Sequence, residues 1–330
     1  MIDFLQKNCS FSILKIEKLN GYENENYLIK TNSKNYIFKT YLYSKQELDV
    51  IEAQNKTLVF LQKNDQKNIP HSIAFDDGSY IKVCYLKGQK SICRILSFLE
   101  GDFLGDVIHT RKLFESFGVF LAEMDIKLQQ FDNTTIKARQ FEWDLQYFHL
   151  NKKFIPDIAD TKNRSIVKYF FEQFEEHVAP SLPTLRKSII HNDANEWNVL
   201  TNEGKVSGII DFGDLAYTQL INELAIAITY ACYGKENPIE WACFILKSYH
   251  TILPIREKEV SILYYLIAAR LCTSICNAAH SKKINPANEY AYSGKRSATE
   301  LLHRLHHINP LVAENAFRST LLFEQVRSDK

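Results

Sequence analysis

Three oxygen-bearing side chains near the middle of the sequence have the types and spacing that phosphoryl transfer needs. Asp193 follows His191 by two positions, Asn198 comes five positions after Asp193, and Asp211 opens an Asp-Phe-Gly tripeptide. A carboxylate can accept the proton of a hydroxyl group, and Mg²⁺ prefers carboxylate and amide oxygens as ligands. The pattern therefore predicts Asp193 as a catalytic base and Asn198 with Asp211 as metal ligands.

Short apolar strands are predicted around these residues. Residues 189–190 lead into the first motif, residues 199–200 leave it, and residues 206–210 deliver Asp211 at a strand end. A hairpin of this kind would hold Asn198 and Asp211 side by side, so that one metal could bridge them to a phosphate. Isolated Asp and Asn residues in loops more often form caps or turns, and it is their combination that favours chemistry.

No acid or base role is assigned to His191. It can brace the loop that carries the base, or it can contact the substrate.

The composition is that of an ordinary soluble globular protein. The chain has 330 residues, of which 45% are hydrophobic and 24% charged, and its formal net charge is +1. Without a strong basic field, we expect no nucleic-acid partner. The N-terminal residues lack the pattern of a signal peptide, and the apolar run at 260–272 is too short for a membrane span and is interrupted by Arg270. We therefore expect a cytoplasmic protein with no membrane partner. The seven cysteines include no Cys-x-x-Cys pair and are expected to be free thiols.

The hydrophobic pattern predicts an α+β fold with two lobes. Residues 1–100 are expected to form a small, β-rich, nucleotide-binding N-lobe, and residues 101–330 a larger, α-rich, catalytic and substrate-binding C-lobe. The two lobes would meet at a hinge around residues 100–102 and enclose a cleft. The predicted strands of the first lobe are 11–14, 27–30, 35–39, 81–85 and 91–98, with one helix at 45–62. The predicted helices of the second lobe are 111–130, 164–177, 215–233, 238–250, 256–279 and a further one after residue 288.

Lys39 and Glu52 are the candidates for anchoring the phosphates of a nucleotide. Phosphoryl transfer uses a cation over the α- and β-phosphates and a carboxylate that holds this cation in place. Strand alternation puts Ile37 on the same face as Lys39, where it can cover a purine. The backbone of Ser97 and Leu99 at the hinge would bind the purine edge. Without the downstream motif, Lys39 would be interpreted as a solvated strand lysine.

Residues 18–27 form the candidate loop over the phosphates. The loop contains a single glycine, so the G-x-G-x-x-G fingerprint is absent. Asn24 and Asn26 can contact phosphate or can simply form a turn.

Five side chains are candidates for contacts with the phosphoryl acceptor, and each has a structural alternative. Glu196, Asp214 and Glu223 can stabilise a cationic amine, or they can be solvated or helix-capping acids. Arg270 lies in an apolar helix, where it can bind an acceptor carboxylate or pair with a carboxylate of the core. Trp143 can line the pocket or belong to the core. No activation segment with an Ala-Pro-Glu sequence follows the second motif, which favours a small acceptor over a protein.

These motifs resemble those of the aminoglycoside phosphotransferase and choline kinase superfamily, and most closely its hydroxylysine kinase branch. Residues 191–200 look like the branch signature H-G-D-x-N-D-x-N-[IV]-L, and residues 206–214 are similar to its V-S-G-I-[IL]-D-F-G-D. The resemblance implies a fold like that of protein kinases. It also implies roles for individual residues, namely Asp193 as the base, Asn198 and Asp211 as Mg²⁺ ligands, and Lys39 with Glu52 as the phosphate-anchoring pair.

The sequence departs from this signature beside the base. Asn192 replaces the usual glycine, and Glu196 and Trp197 replace an Asp-His pair. These changes flank Asp193, so they concern the fit of the substrate more than catalysis.

The leading hypothesis is a Mg²⁺-dependent kinase that transfers the γ-phosphate of GTP or ATP to the hydroxyl of a small amine or amino acid, with 5-hydroxylysine as the best candidate. The alternatives among enzymes are a kinase for choline, ethanolamine, homoserine or an aminoglycoside. The chain could instead be a non-catalytic nucleotide-binding module. The presence of both Asp193 and Lys39 argues against that last alternative, because a binding module needs no base.

Overall fold

The structure, a computed structural model, describes residues 1–19, 24–66, 68–287 and 294–326. An antiparallel sheet dominates the N-terminal part and helices dominate the remainder. The predicted α+β class with a small β-rich and a larger α-rich lobe is therefore confirmed.

The N-lobe is built on one antiparallel sheet. Its elements are helix α1 (Ile2–Asn8), strands β1 (Ile13–Leu19), β2 (Glu25–Thr31) and β3 (Asn35–Leu42), helix α2 (Lys45–Lys63), and strands β4 (Ser72–Ile73), β5 (Lys82–Leu86) and β6 (Gln89–Ser97). The strand order is β1-β2-β3-β6-β4, and β5 also pairs with β6. Helix α2 begins after Ser44, whose side chain accepts a hydrogen bond from the backbone N–H of Glu47.

The two faces of β3 have different environments. Phe38 is fully buried in a cluster that includes Leu5 of α1, so α1, which the sequence did not predict, covers the outer face of the sheet. Ile37 packs instead against the large core that extends into the C-lobe. Lys39 shares the face of Ile37, as strand alternation predicted, and it therefore points into the cleft.

The C-lobe combines two small sheets with a set of helices. Its elements are strand β7 (Asp102–Phe103), helices α3 (Arg111–Leu128) and α4 (Thr134–Ala138), a run of 3₁₀ turns (Leu145–Asp157), helix α5 (Thr161–Gln173), strands β8 (Lys187–Ile190), β9 (Val199–Asn202), β10 (Lys205–Ile209) and β11 (Ala216–Gln219), and helices α6 (Ile221–Ala231), α7 (Pro238–Ile252), α8 (Glu257–Ile284), α9 (Lys295–His306) and α10 (Pro310–Thr320). Strand β7 pairs with β9, so the chain changes from the first sheet to a sheet of the C-lobe between Ser97 and Asp102.

The prediction of one helix over residues 215–233 is wrong in its first part. Residues 216–219 form strand β11, which pairs antiparallel with β8, and the helix begins only at Ile221. The reason is a long-range backbone pairing, Ala216 with Ile190, that local periodicity cannot reveal. The 3₁₀ region at 145–157 and helix α4 were likewise not predicted.

Helix α8 is the central helix of the C-lobe. It is the one helix among the described residues that is long and apolar enough to cross a membrane, yet 89% of its apolar window is buried inside the protein. It is therefore a core helix, as the sequence predicted, and Arg270 on it is fully buried. All seven cysteines are free, as predicted.

Helices α3 and α7 lie in close contact at Gly118. A Cβ atom at this position would lie 2.2 Å from Ser248 Oγ and 2.3 Å from the carbonyl oxygen of Ile245. Alanine normally favours a helix by about 1 kcal/mol over glycine, but this clash requires the helices to move apart. We expect Gly118→Ala to lower the free energy of unfolding by about 1–3 kcal/mol in denaturant titrations.

Gly204→Asn is the control for this measurement. Gly204 has a φ of +71° in an open turn with no atom within 4 Å of its ideal Cβ, and asparagine tolerates that conformation. We expect a change within about 0.5 kcal/mol for this variant. An increase in stability for Gly118→Ala would mean that the helices do not touch at this point.

Candidate active site

The β9–β10 hairpin brings Asn198 and Asp211 together, as predicted. Val199 and Ile209 are register partners, and the backbone N–H of Ile210 donates to the carbonyl oxygen of Asn198 at 2.8 Å. Asp211 follows with a left-handed backbone, φ 61° and ψ 77°, which turns the chain sharply after the strand. Both side chains line the cavity between the lobes.

Asp193 lines the same cavity and is held by three side chains. Its Oδ1 accepts hydrogen bonds from Arg270 Nη2 and Asn195 Nδ2, both at 3.0 Å, and its Oδ2 accepts one from Asn198 Nδ2 at 2.6 Å. Burial and the charge of Asp214 raise the pKa of Asp193, and the charge of Arg270 opposes that shift. An oriented carboxylate with a raised pKa is suited to accept a hydroxyl proton.

The hydrogen bonds of Asn198 determine which of its atoms a metal can reach. Its Nδ2 donates to both the backbone oxygen and Oδ2 of Asp193, and these atoms can only accept. The amide oxygen is therefore left for another partner. Together with the carboxylate of Asp211, it provides two hard oxygen donors, which fits Mg²⁺. The described residues contain no cluster of three or more His, Cys, Asp or Glu side chains arranged for a metal, so phosphate and water oxygens would complete the shell.

Lys39 is paired across the cleft with Asp211. Its Nζ lies 3.0 Å from Asp211 Oδ1, and its side chain is only 10% exposed. Burial acts to raise the pKa of Asp211, but the charge and hydrogen bond of Lys39 outweigh this effect and lower it. About 42% of the Asp211 side chain is open to the cleft.

The predicted pairing of Lys39 with Glu52 is wrong. Glu52 is exposed on α2 and makes no ion pair with Lys39, and its charge acts on Lys45 instead. Gln54 on the same helix reaches the Asp-Phe-Gly motif instead. Its Nε2 lies 3.4 Å from the carbonyl oxygen of Gly213. Glu52 was chosen as an acid on the helix that follows Lys39, and the geometry of that helix turns it towards solvent.

Arg94 is a buried cation that the sequence analysis missed. It is the register partner of Lys39 on β6 and is 2% exposed. Its guanidinium donates to Gln54 Oε1 at 2.6 Å, to Asn55 Oδ1 at 3.2 Å and to Tyr41 Oη at 2.9 Å, all of which are neutral acceptors. Its charge also lowers the pKa of Asp211. Two adjacent cations thus face the candidate metal-binding carboxylate from the N-lobe.

His191 braces the loop and is not a proton donor to substrate. It is fully buried, the backbone N–H of Asp193 donates to its Nδ1 at 3.3 Å, and its Nε2 contacts the carbonyl oxygen of Ile210 at 3.0 Å. Because a backbone N–H can only donate and a carbonyl can only accept, the ring carries its proton on Nε2. Burial lowers the pKa of His191 to about 4, which keeps the ring neutral.

Glu223 does not belong to the acceptor site, contrary to the prediction. It is fully buried behind the loop, and its Oε2 accepts from the backbone N–H of Asn192 at 3.0 Å. Burial raises the pKa of Glu223 to about 7. Asn192 has a positive φ of 66°, a conformation that glycine or asparagine adopts most readily, and this explains how the glycine of the signature can be replaced.

Arg270 contacts the candidate base and does not present a free carboxylate-binding group. Its Nε donates to Tyr230 Oη at 3.0 Å and its Nη1 to the backbone oxygen of Trp143 at 2.9 Å, besides the pair with Asp193. The rings of Trp143 and Tyr230 lie 4.7 and 5.3 Å from its guanidinium carbon. Arg270 therefore forms an ion pair, but its partner is the cavity carboxylate of Asp193 and not a carboxylate of the core.

The hinge offers only part of the predicted purine contact. The backbone N–H of Ser97 already donates to the carbonyl oxygen of His71 at 2.8 Å, so this N–H is not available to a purine. Leu99 makes no backbone hydrogen bond within the described part of the chain and keeps its groups for a ligand. Asn26 belongs to β2 as the register partner of Lys39, and its buried Oδ1 has no partner among the described residues. Residues 20–23 of the predicted phosphate loop lie outside the described residues.

The cavity of about 700 Å³ extends from the Lys39–Asp211 pair into the C-lobe. Its volume suits a small ligand. Of the predicted acceptor residues it is lined by Glu196, Asp214 and Trp143. Two tyrosines that the sequence analysis did not single out, Tyr230 and Tyr233, also line it.

Arg139 is a further missed residue of the cavity wall. Its Nη1 donates to the carbonyl oxygens of Gly213 at 3.0 Å and Leu215 at 2.7 Å, which holds the turn after Asp211. Burial raises the pKa of Asp214 in this turn, and the charge of Arg139 opposes that shift.

A β-rich lobe and a helical lobe that meet over an aspartate, an asparagine and an Asp-Phe-Gly turn define a phosphotransferase with the fold of a kinase. The family model described as "Phosphotransferase enzyme family" matches residues 15–258. The chain belongs to this family and is a phosphotransferase that acts on an alcohol group.

Named relatives are similar over most of the chain. Hydroxylysine kinase of Xenopus laevis is 26% identical over 348 residues, which cover 97% of this chain and 92% of the relative. Homoserine kinase of Brucella melitensis biotype 2 is 25% identical over 261 residues, covering 74% of this chain and 72% of the relative.

Solved structures confirm the kinase-like fold. A microcompartment-associated aminopropanol kinase superposes with a TM-score of 0.74 at 15% identity, covering 92% of this chain and 96% of that one. An amicoumacin kinase in complex with AMP-PNP and Ca²⁺ superposes with a TM-score of 0.70 at 14% identity, covering 94% of this chain and 96% of that one.

The Arg270–Asp193 pair generates a prediction about turnover. Replacing Arg270 by glutamine removes the charge that orients Asp193, so we expect kcat to fall by about tenfold to a hundredfold for acceptors with and without a carboxyl group alike. Steady-state kinetics with both kinds of acceptor checks this. Arg296→Gln, at an exposed arginine whose ion pair is with Glu300, should behave as wild type. A rise in KM confined to amino-acid acceptors would restore the carboxylate-binding role.

Proposed function

We propose that this chain transfers the γ-phosphate of ATP or GTP, with Mg²⁺, to the hydroxyl of a small amine or amino acid, and that 5-hydroxylysine or a close chemical relative is the acceptor. In this proposal residues 1–100 bind the nucleotide and residues 101–330 carry the base and the acceptor pocket. The observation that carries the proposal is the convergence of Asp193, Asn198, Asp211 and Lys39 on one cavity.

Each of these four side chains has a part in the proposed reaction. Lys39 holds phosphate oxygens, and Ile37 and the backbone of Leu99 hold the purine. Asn198 and Asp211 hold the metal, which neutralises charge on the phosphates when bound. The acceptor oxygen forms a bond to the γ-phosphorus as the bond to the β–γ bridging oxygen breaks, and the hydroxyl proton passes to Asp193. The products are a phosphomonoester and a nucleoside diphosphate.

The named relatives support an amino alcohol as acceptor. 5-Hydroxylysine carries a primary amine on the carbon next to the one with the hydroxyl, aminopropanol is also an amino alcohol, and proteins named as kinases for hydroxylysine and aminopropanol are similar to this chain in sequence or in fold. The acidic side chains of the cavity, Glu196 and Asp214, suit a cationic amine.

Homoserine is the second candidate acceptor. A relative named homoserine kinase is 25% identical, but it matches 74% of this chain, against 97% for the hydroxylysine kinase of Xenopus laevis. Homoserine also places its amine two carbons away from the hydroxyl-bearing carbon. The longer match therefore favours the hydroxylysine-like acceptor.

The acceptor is tested by incubating the purified protein with Mg²⁺, ATP or GTP, and a panel of amino alcohols and hydroxy amino acids. ³¹P NMR and mass spectrometry should detect a phosphomonoester of 5-hydroxylysine or another amino alcohol. Inorganic phosphate as the sole product, with either nucleotide, would contradict the proposal.

The roles of the two aspartates are separable. Asp193→Ala should lower kcat by about 10² to 10⁴ with little change in nucleotide affinity, because only the base is lost. Asp211→Ala should also weaken binding of the Mg²⁺–nucleotide complex, because a metal ligand is lost. Calorimetric titration alongside kinetics measures both effects. Equal activity of wild type and Asp193→Ala would show that another group takes the proton.

A further inference from the structure

The cavity of the proposed acceptor site is lined by five acidic side chains, and four of them have cations nearby. Asp193 pairs with Arg270, Asp211 with Lys39, and Glu142 with Lys153, while the charges of Arg139 and Arg270 act on Asp214. Glu196 is the fifth acid, and it forms no ion pair within the described ranges.

One carboxylate oxygen of Glu196 also lacks a hydrogen-bond donor. Its Oε2 is buried and has no hydrogen-bond partner among the described residues. A buried carboxylate oxygen without a donor is costly, because neither water nor protein replaces its lost hydration. Burial therefore raises the pKa of Glu196 to about 7, and a cationic donor that enters the cavity offsets the cost and restores the charged form.

Glu196 lies against Gly105. The backbone N–H of Gly105 donates to the carbonyl oxygen of Glu196 at 3.0 Å. A Cβ at Gly105 would lie 3.2 Å from Glu196 Cγ and 3.2 Å from the ring of Trp197. A larger residue at position 105 would displace both groups by a few tenths of an ångström, so the glycine leaves room for the side chain of Glu196.

Two aromatic rings complete the surroundings of Glu196. Tyr230 and Tyr233 line the same cavity, with ring centroids 5.5 Å apart. Burial raises the pKa of both phenols, and the nearby charge of Glu196 adds to that shift. Aromatic walls beside a carboxylate favour a cation, by desolvation and by attraction to the ring faces.

We infer that Glu196 is the ammonium-binding residue of the acceptor site and that it selects primary amines over quaternary ones. This inference rests on the proposed function and names the residue that sets its substrate class. An orphan oxygen needs an N–H donor, which a primary ammonium supplies three times and a trimethylammonium group cannot supply. Choline is therefore a poor acceptor for this chain, and ethanolamine-type amino alcohols are good ones.

The test compares matched ligands in wild type and two variants. Affinities of 1-amino-2-propanol and choline are measured by calorimetry in the presence of Mg²⁺ and a non-hydrolysable triphosphate, and KM is measured for 5-hydroxylysine. Glu196→Gln keeps the shape but loses the charge, so we expect affinity for the primary amine to fall by about tenfold or more, the size of a charge-assisted hydrogen bond. Nucleotide affinity should not change.

Gly105→Ala is the second variant, because it displaces the carboxylate without removing it. It should weaken primary-amine binding by a smaller factor and leave nucleotide affinity as in wild type. Asp106→Asn, at an exposed neighbouring acid outside the cavity lining, is the matched control and should bind like wild type.

The outcomes separate this inference from the proposed function. Unchanged amine affinity in Glu196→Gln would overturn the role of Glu196, and so would equal binding of choline and 1-amino-2-propanol by wild type. Neither result would contradict the proposal that the chain is an amino alcohol kinase. Failure of wild type to phosphorylate any amino alcohol, with nucleotide binding intact, would overturn the proposed function itself.

Discussion

The Lys39–Asp211 ion pair is the contact on which the arrangement of the cleft depends. It joins strand β3 of the N-lobe to the end of β10 in the C-lobe, two positions 172 residues apart in the chain. Lys39 reaches the cleft because strand alternation turns Phe38 into the opposite cluster. Asp211 reaches it because a left-handed residue ends the strand. Both lobes must fold and dock before the pair can form, and the candidate metal site lies at that junction.

The loop that carries Asp193 is positioned by groups that are themselves buried. Glu223 accepts from the backbone of Asn192, neutral His191 ties the loop to Ile210, and Arg270 contacts the carboxylate itself. Inside a poorly solvated site, each of these polar groups is costly unless it is paired, so the network has few alternative arrangements. The loop is therefore held in one arrangement because its polar contacts are buried. The same cost applies to Glu196, because the described residues supply no partner for its buried Oε2.

The sequence predicted the features that depend on local periodicity and on motif spacing. The two-lobed fold, the face of β3 that carries Ile37 and Lys39, and the hairpin that joins Asn198 to Asp211 all follow from alternation and turn residues. What it could not predict depends on contacts between distant segments. Strand β11 exists because it pairs with β8, Arg270 turns to Asp193 across 77 residues, and Arg94 with Gln54 occupies the place where Glu52 was expected. The place of Arg270 in an apolar helix indicated that it pairs with a carboxylate, but it did not indicate that the partner is Asp193.

The most direct test of the central claim is a crystal structure with Mg²⁺, a non-hydrolysable nucleoside triphosphate and a primary amino alcohol. We predict the metal at about 2.1 Å from oxygens of Asn198 and Asp211, and Lys39 Nζ on a phosphate oxygen. We also predict the acceptor hydroxyl at about 2.6–3.2 Å from the Asp193 carboxylate. A metal held by other side chains, or an acceptor hydroxyl out of reach of Asp193, would contradict it.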